Sequence, residues 1–212
     1  MAKHEQGVID AFNWHFFKKA AAEGKKVYPL ALDGQDCYAG ADYILSDSDR
    51  FALIEFKYTE NEICSESKKN LRLSLCRQLL PNPRMSHLHD RCHFIAWRDS
   101  VSSQIKTNIY RLEVCNKGVF GPSCGLEDKT ATTTKRTLAD RFIDEFLSQR
   151  STRSLSLQEF EEYLIWLLQK ASKTTKTSLE LLSYDEVAGI CRTVIHNSIQ
   201  DAYDWFQSKK PS

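Results

Sequence analysis

The spacing of apolar residues at the start of the chain predicts an amphipathic helix. Between residues 5 and 22, apolar side chains recur at steps of three and four, which places them on one helical face: Val8, Ala11, Phe12, His15 and Phe16. Glu5 lies one turn before Val8, so we expect its carboxylate at the end of the face that packs against the rest of the protein. Gly24 ends the helix.

The next part of the chain predicts a central mixed sheet. Residues 51–58 give the strongest strand signal, because apolar residues fall on both faces, as in a strand that is covered on two sides. Shorter patterns predict strands near residues 26–32, 41–45, 92–97 and 105–115. Leucines at four-residue steps predict a helix at 67–80. This order predicts an α/β fold in which helices flank the sheet on both faces.

The last third of the chain predicts helices. Gly, Pro, Thr and Lys dominate residues 118–135, which indicates a boundary or a long functional loop. Thr137 can cap one helix, Ser156 and Glu159 form a capping box for a second, and a third is predicted at 184–207. We therefore expect a core at 1–120, a boundary at 121–136 and a helical C-terminal subdomain at 137–212.

One predicted C-terminal helix is apolar on all sides. Residues 163–168 are Tyr-Leu-Ile-Trp-Leu-Leu, so a single contact surface cannot cover this segment. Two interpretations are open: burial within the subdomain, or an interface for a partner protein or a second copy of the chain in a homo-oligomer.

Composition describes an ordinary globular chain. It has 42% hydrophobic and 27% charged residues, and its formal net charge is +1, so a site for a polyanion must be a local patch. The apolar runs are too short to cross a membrane, and the first residues lack the apolar stretch of a secretory signal. Seven scattered cysteines without a CxxC pair indicate reduced thiols. We expect a cytoplasmic protein.

Two charged residues interrupt the apolar central strand. Glu55 and Lys57 project from the same face because strand side chains alternate, and their burial costs several kcal/mol unless they pair or meet a metal. Asp42, on the preceding predicted strand, can supply a second carboxylate. With the backbone carbonyl of Phe56 and water, these two acids form an oxygen site suited to Mg²⁺ or Mn²⁺.

Such a site suits hydrolysis of a phosphodiester. The metal can bind a phosphate oxygen, offset the developing charge and lower the pKa of a bound water. Lys57 can orient that water or help deprotonate it. Burial pushes the pKa of Lys57 down and nearby carboxylates push it up, and the sequence leaves the balance open.

At Asp42 and Glu55-Phe56-Lys57 the chain resembles the PD-(D/E)XK, or restriction-endonuclease-like, superfamily. The resemblance covers about the first half of the chain, and Ala41 stands where the family has proline. It implies a restriction-endonuclease-like core, metal-dependent cleavage with DNA as the expected substrate, and a role in restriction, anti-phage defence or repair. It also implies an auxiliary acid on the first helix, for which Glu5 is the candidate, and a polar residue on the helix after the motif: Gln78 or Arg77.

Basic residues follow the motif. Lys68, Lys69, Arg72 and Arg77 could contact a nucleic-acid backbone, although a solvated helix surface is the more common role of such a run.

Several alternatives remain beside the nuclease interpretation. The Glu-x-Lys pair could be a surface ion pair, or the core could be a catalytically inactive, nuclease-like scaffold that serves as the interaction subunit of a complex. A second metal hypothesis concerns potential zinc ligands whose spacing fits no standard zinc finger, with ordinary packing as its rival: His87, His89, Cys92 and His93.

Overall fold

Nine strands form a single mixed sheet in the computed structural model, which describes residues 4–32, 36–69, 71–128, 135–171, 180–187 and 190–208. The strands are β1 (Tyr28–Ala31), β2 (Tyr43–Ser46), β3 (Arg50–Thr59), β4 (His93–Arg98), β5 (Ile105–Ile109), β6 (Thr137–Leu138), β7 (Leu155–Ser156), β8 (Leu181–Val187) and β9 (Ile190–His196).

The long strand β3 lies in the middle of this sheet. The strand order is β6-β5-β4-β3-β2-β1-β8-β9, and β7 pairs with the start of β3. The pairing of β3 with β4 is parallel, whereas every other pairing is antiparallel. A parallel neighbour requires a long crossover, and here the crossover carries two helices over one face of the sheet.

Helices cover both faces of the sheet. They are α1 (Glu5–Ala22), α2 (Asp36–Ala39), α3 (Arg72–Leu79), α4 (Pro83–Cys92), α5 (Tyr110–Val114), α6 (Lys117–Phe120), α7 (Ala139–Leu147), α8 (Leu157–Trp166) and α9 (Ile199–Ser208), with a 3₁₀ segment at Glu60–Lys68.

The two faces of β3 belong to separate hydrophobic cores. Phe56 packs with Phe12 and Phe142 from α1 and α7. Phe51 and Leu53 project to the other face and join a core formed with the helices of the crossover and the C-terminal region. The α/β fold and the covered central strand are therefore confirmed. Glu55 and Lys57 alternate in step with Phe51 and Leu53, so their side chains project to the face that the helices of the crossover cover.

Most element predictions for the first half are confirmed, with two corrections. The first helix spans Glu5–Ala22 as expected. The helix expected at 67–80 begins only at Arg72, because the 3₁₀ segment precedes it and Leu71 adopts a left-handed φ of 74°. The strand expected at 105–115 ends at Ile109, where α5 begins. The capping box is confirmed, since Ser156 Oγ accepts the Glu159 N–H.

The prediction of a purely helical C-terminal region is wrong. Residues 181–187 and 190–196 form a hairpin that pairs with β1 through Ala31 and Leu182. The consecutive β-branched residues at 193–195 favour a strand, and this preference outweighed the helical spacing of the apolar positions. The boundary at 121–136 stays a prediction, while β6, β7 and β8 all join the sheet that the first 120 residues build.

Contacts within the chain cover much of the apolar segment 163–168. Tyr163, Leu164, Leu167 and Leu168 are buried in the core on the crossover side, whereas Ile165 is 44% exposed. A partner interface through this region stays a prediction. The apolar residues that suggested such an interface are largely buried by contacts within the chain.

A disulfide joins Cys76 in α3 to Cys115 just after α5. The expectation of reduced thiols is therefore wrong for these two residues, because the fold places α3 beside the end of α5 and so brings together positions that are 39 residues apart. Cys64, Cys92 and Cys124 are free. Among the described helices, none has the length and apolar character that a membrane crossing requires.

Candidate active site

Asp42 is fixed by three hydrogen bonds immediately before β2. Its backbone N–H donates to Ile54 O over 3.0 Å, and its backbone carbonyl accepts from Leu32 N over 3.0 Å. Its carboxylate oxygen Oδ2 accepts from the Phe56 N–H over 2.7 Å. The strand β2 begins one residue later, at Tyr43. The Phe56 N–H of β3 therefore bonds to the side chain of Asp42 instead of to a backbone carbonyl of β2.

Glu55 and Lys57 form a buried ion pair on β3. Their side chains are 0% and 3% exposed, and the Lys57 ammonium bonds to Glu55 Oε1. The ammonium also donates to the Phe56 carbonyl over 2.8 Å, so the predicted backbone metal ligand is engaged by Lys57. Glu55 Oε2 is buried without a hydrogen-bond partner among the described residues, and the Arg72 guanidinium approaches it only to 3.9 Å.

A further carboxylate, Glu66, completes the cluster and was not predicted. Its Oε1 lies 3.0 Å from Lys57 Nζ, and its Oε2 accepts hydrogen bonds from Tyr110 Oη over 2.6 Å and from Arg72 Nε over 3.0 Å. Glu66 lies in the 3₁₀ segment, just before the helix predicted at 67–80, and Tyr110 lies in the stretch predicted as a strand at 105–115. No pattern in the sequence connected these residues to the motif.

The carboxyl groups of the cluster have different pKa values because their surroundings differ. Burial and the nearby Glu55 carboxylate raise the pKa of Asp42 to about 8, although Lys57 and the Phe56 N–H act in the opposite direction. Burial raises the pKa of Glu66 as well, but the cations around it outweigh this effect and hold its pKa well below the usual range. Asp42 is thus the acid of the cluster that gains or loses a proton near neutral pH.

Lys57 is positively charged in this environment. Burial lowers its pKa, but Glu55 and Glu66 together outweigh burial and raise the pKa above its usual value. The balance that the sequence left open therefore favours the ammonium form. A charged lysine can orient groups and neutralise charge, but it cannot accept a proton.

The donor set fits a hard divalent cation. Asp42 and Glu55 offer carboxylate oxygens, and Glu55 Oε2 accepts no hydrogen bond from the described residues, so this oxygen is available as a ligand. Mg²⁺ is commonly bound through one or two carboxylates while it keeps several waters, so these two side chains suffice.

Of the three residues predicted in auxiliary roles, Glu5 lies near the cluster, whereas Gln78 and Arg77 do not contribute to it. Glu5 lies near enough to Lys57 and Glu55 for their charges to act on it, and burial raises its pKa. Gln78 is exposed near the end of α3, six residues beyond Arg72 and therefore about 9 Å along the helix axis. Arg77 donates to the Cys124 carbonyl over 2.8 Å. On α3, the polar residue that reaches the cluster is Arg72.

The four basic residues do not form one surface. Lys68 is exposed, and Arg77 belongs to the contact with Cys124. Lys69 bonds to Glu55 Oε1 and lies 3.2 Å from Glu66 Oε1, while the Arg72 guanidinium is buried against Glu66. Two of the four residues are therefore part of the cluster, and neither is on a solvated helix face.

Two histidines of the zinc hypothesis lie in a buried hydrogen-bond chain behind the site. His93 Nε2 faces the Gly40 carbonyl at 2.8 Å, and His93 Nδ1 faces Tyr163 Oη at 2.9 Å. Tyr163 Oη also lies 2.7 Å from His89 Nδ1, and His89 Nε2 accepts the Arg111 N–H over 3.2 Å. The Gly40 carbonyl can only accept, so His93 donates from Nε2 and accepts the Tyr163 hydroxyl proton at Nδ1. The Arg111 N–H can only donate, so His89 accepts at Nε2 and donates from Nδ1 to Tyr163 Oη. The two ends therefore require the same direction of donation along the whole series.

This chain supports the loop that carries Asp42. Burial lowers the pKa of His93 to about 3 and that of His89 well below its usual value, so both rings are neutral. Gly40 has a φ of +75°, and a Cβ there would lie 3.1 Å from the His93 ring. Within the described residues, no group of three His, Cys, Asp or Glu side chains is arranged to hold a metal, and His87 is exposed.

No family model, curated protein or solved structure matches this chain.

Proposed function

We propose that the protein is a metal-dependent nuclease that hydrolyses phosphodiester bonds in DNA. The observation that carries the proposal is the convergence of Asp42, Glu55 and Lys57 at the centre of the sheet, where one buried Glu55 oxygen has no hydrogen-bond partner within the described part of the chain. The choice of DNA and a restriction-endonuclease-like core rests on the resemblance of these residues to the PD-(D/E)XK motif.

Each residue of the convergence has a distinct role in this proposal. Asp42 and Glu55 would hold Mg²⁺ or Mn²⁺, which when bound supplies charge compensation at the phosphate and lowers the pKa of water. The charged Lys57 orients the attacking water or a phosphate oxygen and keeps its own proton. Glu5 is an auxiliary acid at the margin of the site.

Hydrolysis requires a water oxygen to bond to phosphorus while the bond from phosphorus to the leaving sugar oxygen breaks. The attacking water releases a proton to solvent, and the leaving oxygen takes up a proton from solvent. Because Lys57 is already protonated, the proton from the water does not go to Lys57. The cations of the cluster, Lys57 among them, instead stabilise the negative charge that develops on the phosphate.

The decisive experiment is a cleavage assay on the purified protein. Supercoiled plasmid, linear duplex DNA and RNA are incubated with Mg²⁺, with Mn²⁺ or with EDTA. We expect metal-dependent cleavage of DNA and none with EDTA. Cleavage of RNA alone would overturn the assignment of DNA, and intact substrates under every condition would favour the alternative of a nuclease-like interaction scaffold.

A further inference from the structure

Two lysines share one carboxylate oxygen in the candidate site. Lys57 and Lys69 both bond to Glu55 Oε1, and both also approach Glu66 Oε1, at 3.0 and 3.2 Å. With Arg72, the cluster therefore holds three cations beside two paired carboxylates. One of the oxygens that a divalent cation would use is occupied by side chains of the protein itself.

The two lysines differ in how they are held. Lys57 is on the central strand and is 3% exposed, whereas the side chain of Lys69 is 30% exposed. Lys69 belongs to neither flanking helix, because the 3₁₀ segment ends at Lys68 and α3 begins at Arg72. Lys69 is thus the cation of the cluster that already reaches solvent.

A divalent ion at Glu55 conflicts with this arrangement. Like charges a few ångströms apart in a poorly solvated site repel each other strongly. Lys57 and Arg72 are enclosed, so neither can leave without a buried charge losing its partners. Lys69 can leave by rotation of its own side chain, because it is partly exposed.

We propose that Lys69 occupies the place of the metal at Glu55 in the metal-free protein and turns to a substrate phosphate when the ion binds. This inference rests on the proposed nuclease function. Lys69 thereby has two effects of opposite sign: it competes with the metal for Glu55, and it adds a cation to the phosphate site. An ammonium on a flexible stem suits this exchange, because it binds phosphate as a point charge.

The test compares metal binding with cleavage in matched variants. Mn²⁺ affinity is measured without substrate, by electron paramagnetic resonance of the free ion, for the wild type, Lys69→Met, Lys69→Arg and Lys18→Met. DNA cleavage is then measured at saturating Mn²⁺. Lys18 is the control, because it is an exposed lysine on α1 outside the cluster. Thermal unfolding of each variant shows that the proteins compared are folded.

We expect Lys69→Met to bind Mn²⁺ about tenfold more tightly and to cleave DNA about tenfold more slowly, with a higher KM for DNA. Lys69→Arg should have the Mn²⁺ affinity of the wild type, since it restores the competing charge, and Lys18→Met should match the wild type in both measurements. Unchanged or weaker Mn²⁺ binding by Lys69→Met would overturn the inference. Absence of cleavage by the wild type would overturn the proposed function, and the binding measurement alone would then decide whether Lys69 competes with the ion.

Discussion

The Asp42 carboxylate accepts the backbone N–H of Phe56 over 2.7 Å, so the first acid of the motif is tied to the residue between Glu55 and Lys57. The two halves of the motif are separated in sequence, yet this bond sets the position of one relative to the other. The bond uses Oδ2 of Asp42. Burial, together with the nearby Glu55 carboxylate, raises the pKa of Asp42 to about 8.

The raised pKa of Asp42 predicts that metal binding strengthens as pH rises through about 8. A carboxyl group must lose its proton to bind a cation, so Mn²⁺ affinity and cleavage should both increase over this range. Mn²⁺ affinity is measured from about pH 6 to about pH 9, a range that brackets this pKa. An identical pH profile in Asp42→Asn would contradict the assignment, and Asp128→Asn, at an exposed aspartate, is the control.

The same group predicts how stability depends on pH. The pKa of Asp42 is higher in the folded protein than its ordinary value of 3.8, so folding takes up a proton between that value and about 8. The contribution of Asp42 to the free energy of unfolding is fully present below the lower value and is lost as pH rises through the upper one. Urea unfolding across this range should show the decline in the wild type and a smaller one in Asp42→Asn.

We expect Glu55→Gln to lower cleavage roughly 100- to 1000-fold while the protein stays folded. The amide keeps the shape of the side chain but removes the negative charge that binds the ion, and Glu66 still pairs with Lys57 and Arg72. Cleavage and Mn²⁺ affinity are compared with those of Glu127→Gln, at an exposed glutamate. Full activity in Glu55→Gln would show that Glu55 is not part of the active site.

Lys57→Met should reduce turnover more than Mn²⁺ affinity, because the ammonium acts on water and phosphate rather than on the ion. It should also lower the free energy of unfolding by about 3–5 kcal/mol, since it leaves Glu55 and Glu66 with fewer cations in a buried site. Turnover is measured at a temperature where circular dichroism shows the variant to be folded. Normal turnover would assign Lys57 a purely structural role.

Removal of the Cys76–Cys115 disulfide should destabilise the protein. The bond closes a loop between positions 39 residues apart, for which the loss of unfolded-chain entropy gives about 4 kcal/mol. We expect Cys76→Ser to lower the free energy of unfolding by about 2–4 kcal/mol, whereas Cys64→Ser, at an exposed free cysteine, should have little effect. Equal stability of the two variants under oxidising conditions would contradict this expectation.

Local patterns in the sequence were sufficient for the central strand and its charged pair. Apolar residues on both sides of Glu55 and Lys57 predicted a buried β3, and the structure encloses both side chains. The N-terminal helix was equally clear, because its spacing and its end at Gly24 agree. These features depend on residues that are close in sequence, so they can be read without knowledge of the fold.

The remainder of the candidate site depends on contacts that have no local signal. Glu66 joins the cluster through Tyr110, which is 44 residues away in sequence, and the disulfide depends on the same crossover. The β8–β9 hairpin was missed because its apolar spacing also fits a helix, and pairing with β1 decides between the two. Gln78 was chosen by position in the motif, whereas the fold brings Arg72 to Glu66.

The hydrogen-bond chain from Arg111 to Gly40 has a consequence for how this sequence can change. Each link has one donor and one acceptor, so replacing Tyr163 or His93 alone leaves a buried polar atom unpaired. Relatives that share the architecture should therefore inherit His89, His93 and Tyr163 together or replace them together. Such covariation would link α8 to the loop of Asp42, two segments that nothing in the primary sequence relates.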